Sequence, residues 1–186
     1  MRHFAGAMTA AAVVLAAPAA NAAHWTVDKA HRKLGFTVIW AKQPFSATFE
    51  SWNANIDFDP ANLAAAKADV TIAIASETSE EADFDSNLQG DIGFAASKFP
   101  TARFVTTGFT HKSGNDYVAQ GTLTLKGIAK PITLPFTLVI AGKTAHMTGS
   151  AIVMRNLFGV GTGQWAAPDP VAHAVKVNID LTATRN

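Results

Sequence analysis

The chain has no cysteine among its 186 residues. Disulfides, thiol nucleophiles and thiolate metal sites are therefore excluded, and the fold must be held by its core and its backbone hydrogen bonds. There is one tyrosine beside twelve phenylalanines and four tryptophans, which does not suit the tyrosine- and tryptophan-rich girdles of an outer-membrane barrel. The apolar run near the N-terminus is far shorter than the ~20 residues of a spanning helix. An excess of one charge is also missing: 15 basic and 14 acidic side chains give a net charge of +1, so neither nucleic acid nor an anionic membrane surface is expected as the main partner. No Gly-x-Ser-x-Gly elbow surrounds a serine. His24, His31, His111, His146 and His173 stand singly, with no pair at metal-ligand spacing. Neither a catalytic constellation nor a metal site is expected.

The N-terminus reads as an export signal. Arg2 and His3 form a short basic start, Ala10 to Ala17 is apolar, and Ala20-Asn21-Ala22 places small residues where a signal peptidase reads. Cleavage is expected before Ala23, which makes residues 1–22 a signal peptide and residues 23–186 one periplasmic domain. With no cysteine after the signal, a lipoprotein anchor has no attachment point.

The domain itself alternates. In the stretch from Gly121 to Ile140, Leu123 and Leu125 share one face, and Ile132, Leu134, Phe136, Leu138 and Ile140 repeat the two-residue period. A tight Lys126-Gly127 turn joins the two runs. Pro131 and Pro135 stand where an inner strand would not tolerate them. Further strands are expected at His24–Asp28, Lys33–Trp40, Asp69–Ile74, Arg103–Thr110, Tyr117–Leu125, His146–Arg155 and Ala172–Ala183. The run Phe45–Phe58 switches phase near Glu50 and Ser51, which suggests a bulge at a corner. Asp59-Pro60 looks like a helix start of a turn or two. Thr78 to Glu81 fits a capping box ahead of a helix with Phe84 and Leu88 on one face, closed by Gly90. Eight to ten evenly spaced strands with one helical insertion predict a closed antiparallel barrel, with a two-sheet sandwich as the alternative.

Several residues could carry chemistry. Asp28-x-x-His31 is either a polar site at a barrel mouth or a turn in which Asp28 caps backbone amides. Asp83, Asp85 and Asp91 surround the helix and read as its solvated surface. Gly159-Val-Gly161-Thr-Gly163 lacks the lysine and helix of a phosphate loop and reads as hairpin or bulge glycine. Arg155 follows the apolar Ile152 and Met154, so it serves either in a structural ion pair or with a polar head group. The strands around Leu34–Trp40 and Phe104–Phe109 carry apolar residues on both parities in places, as a barrel with an apolar lumen would.

Taken together, Asp28-x-x-His31 with Leu34-Gly-Phe36, Leu88-x-x-Asp91-x-x-Phe94, Lys98-Phe99-Pro100 through Phe104, Gly121-x-Leu-Thr-Leu-Lys-Gly127, Arg155-Asn-Leu-Phe158-Gly159 and Val175 to Ala183 resemble the YceI-like family. The resemblance runs from Trp25 to Ala183. It implies an all-β, eight-stranded lipocalin-like barrel with a short helical insertion, enclosing an apolar tunnel that holds an isoprenoid chain or related long-chain amphiphile non-covalently. It implies no enzymatic step. Arg32 stands where a serine is usual. Ile92-Gly93 replaces an aromatic usually found beside Phe94, a change expected to widen or reshape the pocket. The Phe45, Trp52 and Trp165 regions are similar to a subgroup found beside small di-haem b-type cytochromes. That suggests such a cytochrome as partner and a quinone such as ubiquinone as ligand, with a polyprenyl phosphate as the other candidate. The expected tail-lining residues are Phe36, Val38, Trp40, Phe49, Trp52, Phe104 and Phe158, with His31 and Arg155 at the head group. The strand His24–Asp28 is expected to offer an exposed edge for a homodimer.

Overall fold

The computed structural model describes residues 22–186; the expected signal peptide lies almost wholly outside them. Ten strands follow in order: β1 (His24–Trp40), β2 (Gln43–Phe49), β3 (Trp52–Asp57), β4 (Lys67–Ala73), β5 (Glu77–Thr78), β6 (Thr101–Ser113), β7 (Asp116–Leu125), β8 (Ile128–Ala141), β9 (Thr144–Met154) and β10 (Val171–Arg185). One helix, α1 (Ala82–Gln89), interrupts them. All pairings are antiparallel, and β10 returns to β1, so the sheet closes on itself. Two staves are broken. β2 and β3 both pair with β1 as halves of one bent ribbon, and β4 continues through a 3₁₀ turn at Ile74–Ser76 into β5. Counted by staves, this is the closed barrel that the alternation predicts, with the eight strands that the resemblance implies.

The corner at Glu50 and Ser51 is stitched to the neighbouring corner. Glu50 N–H donates to the Ser76 carbonyl (3.1 Å), and Ala73 N–H donates to the Ser51 carbonyl (2.9 Å). Bulges account for the apolar residues on both parities. The β6–β7 register shifts between Thr106 and Gly108, so Phe104 and Phe109 both reach the interior. The β1–β10 register shifts between Val27 and Arg32, which moves the inward set from Trp25 to Leu34, Phe36 and Val38. The Lys126-Gly127 turn has positive φ at both residues, 50° and 76°, as a two-residue hairpin of matching twist requires.

Three expectations are corrected. Asp59 caps only a tight turn, its Oδ1 accepting from Ala61 N–H (2.9 Å), and just a 3₁₀ turn at Leu63–Ala65 follows; so short a segment cannot repay helix nucleation. The capping box works in reverse: Asp85 reaches back to accept from Ser79 N–H (2.8 Å) and from the Thr78 hydroxyl (2.9 Å). Segment His24–Asp28 offers no free edge. Trp25 to Val27 pair with β10 on one side, and His24 and Trp25 pair with β3 on the other.

One end of the barrel, here the upper, is covered by α1 and by the segment after β9. Arg155 holds that segment. Although buried, it makes no ion pair among the described residues; Nε donates to Ala172 O (2.9 Å), Nη1 to Val160 O and Gly161 O (3.0 and 3.1 Å), and Nη2 to Ala167 O and Val171 O (3.0 and 2.6 Å). A guanidinium has five N–H donors, and here all five are used. Gly161 makes room for it, since a Cβ there would lie 2.1 Å from Nη1. Lys126 does the same on a smaller scale, its Nζ donating to Asp91 O, Gly93 O and Gly159 O at 2.7–2.9 Å.

Lysine has three donors, so Arg155→Lys leaves at least two buried carbonyls without a partner, each worth about 1–3 kcal/mol. The variant is expected to lose about 2–5 kcal/mol of stability in urea denaturation. A loss below about 1 kcal/mol would show that the five bonds do not hold this end together.

Candidate functional site

The barrel interior is apolar and not filled. Eight strands enclose a space that side chains can just fill, or that can hold one small ligand. Here many inward positions are small: Ala54, Ala68, Ala119, Ala145, Ala151 and Ala183 line the lower half. Gly121 also faces inward, and a Cβ there would meet the Phe104 ring at 2.5 Å. Two chambers result, of about 180 Å³ below and about 140 Å³ above. They meet at a waist formed by Leu34, Ile72, Leu123, Val153 and Val177, which line both. Thr106 is the one polar side chain lining the lower chamber, and Arg155 the one lining the upper.

The upper chamber is walled by Phe36, Val38, Trp40 and Phe49 from β1 and β2, by Phe84 and Leu88 from α1, and by Trp165. Its aromatic rings are in contact: Phe45 and Phe84 centroids lie 3.8 Å apart, and Trp40 lies 4.5 Å from Phe84. The lower chamber holds Trp25, Trp52, Phe104, Phe58, Phe109 and Phe136. Phe58 meets Phe109 edge-on at 5.2 Å. Trp25 spends its indole N–H on the Phe58 carbonyl (2.8 Å), so it presents only apolar surface inward.

Of the seven expected tail-lining residues, six line a chamber: Phe36, Val38, Trp40 and Phe49 the upper, Trp52 and Phe104 the lower. Phe158 does not. It is 1% exposed and packed in the core beneath the 3₁₀ turn. The structure separates the two head-group candidates from that role. His31 sits on the outer surface in the β1 bulge, its Nδ1 2.7 Å from Asp28 Oδ2. Asp28 also accepts from Ala30 N–H (2.8 Å), so this motif is a capped turn. Arg155 lines the upper chamber, but the backbone takes all its donors. Gly93 does not widen the pocket, because a Cβ at that position would lie 1.9 Å from the Leu88 carbonyl; the glycine lets the loop close against the end of α1. Sequence reasoning did not single out Trp25, Phe109, Phe136 or Trp165. For Phe136 the alternation on β8 carried the signal, whereas Phe109 lies beyond a bulge that reverses parity.

Glu77 is the unexpected interior group. It is 2% exposed, and neither carboxylate oxygen has a hydrogen-bond partner. Its register partner is Phe49, and directly opposed residues share a face, so Glu77 lies on the interior side of the sheet. Burial first, and the negative Asp85 second, push its pKa from the ordinary 4.5 up to about 7, against a smaller opposing pull from Gln89. The folded chain therefore keeps this proton up to about pH 7, whereas the unfolded chain releases it near 4.5. Stability contributed by the protonated form is lost as pH rises through that window, on the order of 3 kcal/mol in all. Glu77→Gln, a neutral isostere, is expected to leave the melting temperature near the wild-type value at pH 5 and to raise it above wild type at pH 8. An effect equal at both pH values would exclude a buried, titrating Glu77.

Comparison with known proteins agrees with this architecture. The YceI-like domain family matches residues 25–183. A UPF0312 protein of Photorhabdus laumondii is 35% identical over 139 residues, covering 73% of this chain and 72% of that protein. The crystal structure of Burkholderia cenocepacia BcnA superposes with a TM-score of 0.83 at 33% identity, over 86% of this chain and all of that one. A polyisoprenoid binding domain from Saccharophagus degradans shares the fold, with a TM-score of 0.69 at 12% identity over 88% of this chain and 99% of that one. With its closed eight-stave barrel, its single helical insertion and a family match spanning nearly all of the described residues, the chain belongs to the YceI-like family.

Proposed function

We propose that this protein is a non-enzymatic carrier that buries the tail of an isoprenoid lipid along the axis of its barrel, in the periplasm after removal of residues 1–22. The observation that carries this reading is the pair of chambers joined at a waist, whose lining includes one polar side chain each. Cleavage before Ala23 would keep the Ala23 carbonyl, which accepts from Phe58 N–H (2.8 Å). The fold is shared with a domain described as polyisoprenoid-binding. Transfer of a tail from water is worth roughly 0.8 kcal/mol per buried methylene before ordering costs, so a tail of several isoprene units needs no charged contact.

Electrostatics favours a neutral head group. Arg155 has no donor to spare, and Glu77 would repel an anion whenever it ionised. A polyprenyl phosphate drawn inside would lose its hydration without gaining a cation, whereas a quinone would lose far less. A ubiquinone-type ligand is therefore our reading, and a membrane b-type cytochrome is a fitting partner for such cargo.

Mild purification, organic extraction and mass spectrometry provide the test. A quinone near one equivalent is expected; a protein that emerges empty and takes up no added isoprenoid would leave only a barrel without cargo. The waist supplies a sharper version. Val153→Phe narrows the passage between the chambers, at an overpacking cost of about 1–3 kcal/mol. Affinity for long-tailed quinones is expected to fall at least tenfold, while that for analogues with one or two isoprene units is kept. Equal retention of both would show that the tail does not pass the waist.

A further inference from the structure

A closed barrel with a covered end raises the question of how a long tail enters. The β8–β9 seam answers it. These strands are paired from Ala141↔Thr144 only as far as Phe136↔Gly149. β8 runs on to Ile128 paired with β7, and β9 runs on to Met154 paired with β10, but they are not laddered to each other there. The cause is chemical. Leu138 N–H donates to Asn115 O on the β7 side (2.8 Å), so even-numbered β8 residues direct their N–H groups to β7 and odd-numbered ones direct theirs to β9. Continuing the register would set Pro135 against Ser150, Thr133 against Ile152 and Pro131 against Met154. Two of these three donor positions are proline, which has no N–H.

The interval is framed and apolar on both sides. Below, the ladder resumes at Phe136 and Gly149. Above, Lys126, in the turn before β8, is tied to Gly159 O (2.9 Å). The inward residues along the margins, Ile132 and Leu134 on β8 and Ala151 and Val153 on β9, line the lower chamber. On the outside of β9, where polar residues would ordinarily stand, Ile152 is 59% exposed and Met154 38%. A different interruption in pairing, between β1 and β3, is bridged: Arg32 donates to the Trp52 carbonyl and lies over its ring at 4.5 Å.

We propose that the unladdered interval between residues 128–135 of β8 and residues 150–154 of β9 is the lateral portal through which the isoprenoid tail enters the chambers, with Ile152 and Met154 as its outer landing strip. This rests on the carrier reading above. The strands part by losing side-chain contacts only, because there are no cross-strand hydrogen bonds to break.

The test exploits the absence of cysteine and the four tryptophans, all of which line the chambers. Thr133→Cys with Ile152→Cys places two outward thiols across the portal; Val139→Cys with His146→Cys places a control pair across the laddered part of the same seam. Loading of ubiquinone-2 is followed by stopped-flow tryptophan quenching, with each pair reduced and then joined, by oxidation or by a short bis-maleimide. Relative to the same variant in its reduced state, joining the portal pair is expected to slow loading at least tenfold and joining the control pair to leave the rate unchanged. Pro131→Thr with Pro135→Thr, which restores both donors, is expected to slow loading without any cross-link. Loading at the wild-type rate in the joined portal pair and in the proline variant would overturn the portal and leave the carrier standing. Absence of quenching in the wild-type protein as well would instead overturn the carrier.

Discussion

Everything in this molecule depends on the ladder between β1 and β10. It joins the first strand to the last from Trp25↔Arg185 to Trp40↔Val171, and without it the sheet would be an open, twisted ribbon with two edges to protect. Closure fixes the number of staves at eight and with it the approximate bore. The content of the bore then becomes a matter of side-chain volume. Alanines at inward positions from β3 to β10 leave space that larger residues would have filled, while the room made by Gly121 is taken up by the Phe104 ring. The cavity is thus a consequence of a closed circumference and small residues.

The charged groups follow the same logic. Burial makes a free ion costly, and the three buried or half-buried ionisable groups Arg155, Lys126 and Glu77 are dealt with in two ways. Arg155 and Lys126 keep their charge by surrendering every donor to backbone carbonyls, and the desolvation lowers both pKa values. Glu77 has no such partners among the described residues, and its pKa is raised to about 7, so that it is neutral in acid and half ionised near neutrality. The cations thereby become structural fasteners of the upper end.

Much of this was legible in the sequence because it was periodic. The alternation of β7 and β8, the corner at Glu50-Ser51 and the Lys126-Gly127 turn are local patterns with one structural reading each. What was not legible depended on counting across a bulge or on long-range partners. Phe109 changes face because the register slips one residue earlier. His31 leaves the interior because the β1 bulge turns it outward, and the outcome of that irregularity is invisible without the partner strand. The sequence marks Arg155 as an odd charge beside apolar residues, but its five acceptors come from Val160 to Ala172. Their convergence is a property of the folded loop. Phe158 has the right chemistry for a tail contact but is packed into the core cluster around the upper chamber.

The prolines of β8 bring closure and access into one argument. A barrel is stable because its hydrogen-bond network has no loose edge, yet a perfectly laddered barrel with a covered end would be a poor vessel for a molecule longer than its mouth. Placing proline at every second outward position of one strand removes donors on one side only. The β7–β8 ladder is untouched, because its donors belong to the other parity. Along this seam the circumference is therefore discontinuous as far as hydrogen bonding is concerned, over an interval that opens on the lower chamber. A strand that would be disqualified from the middle of an ordinary sheet is suited to this position, because opening there costs only apolar contacts that an incoming tail can replace in kind.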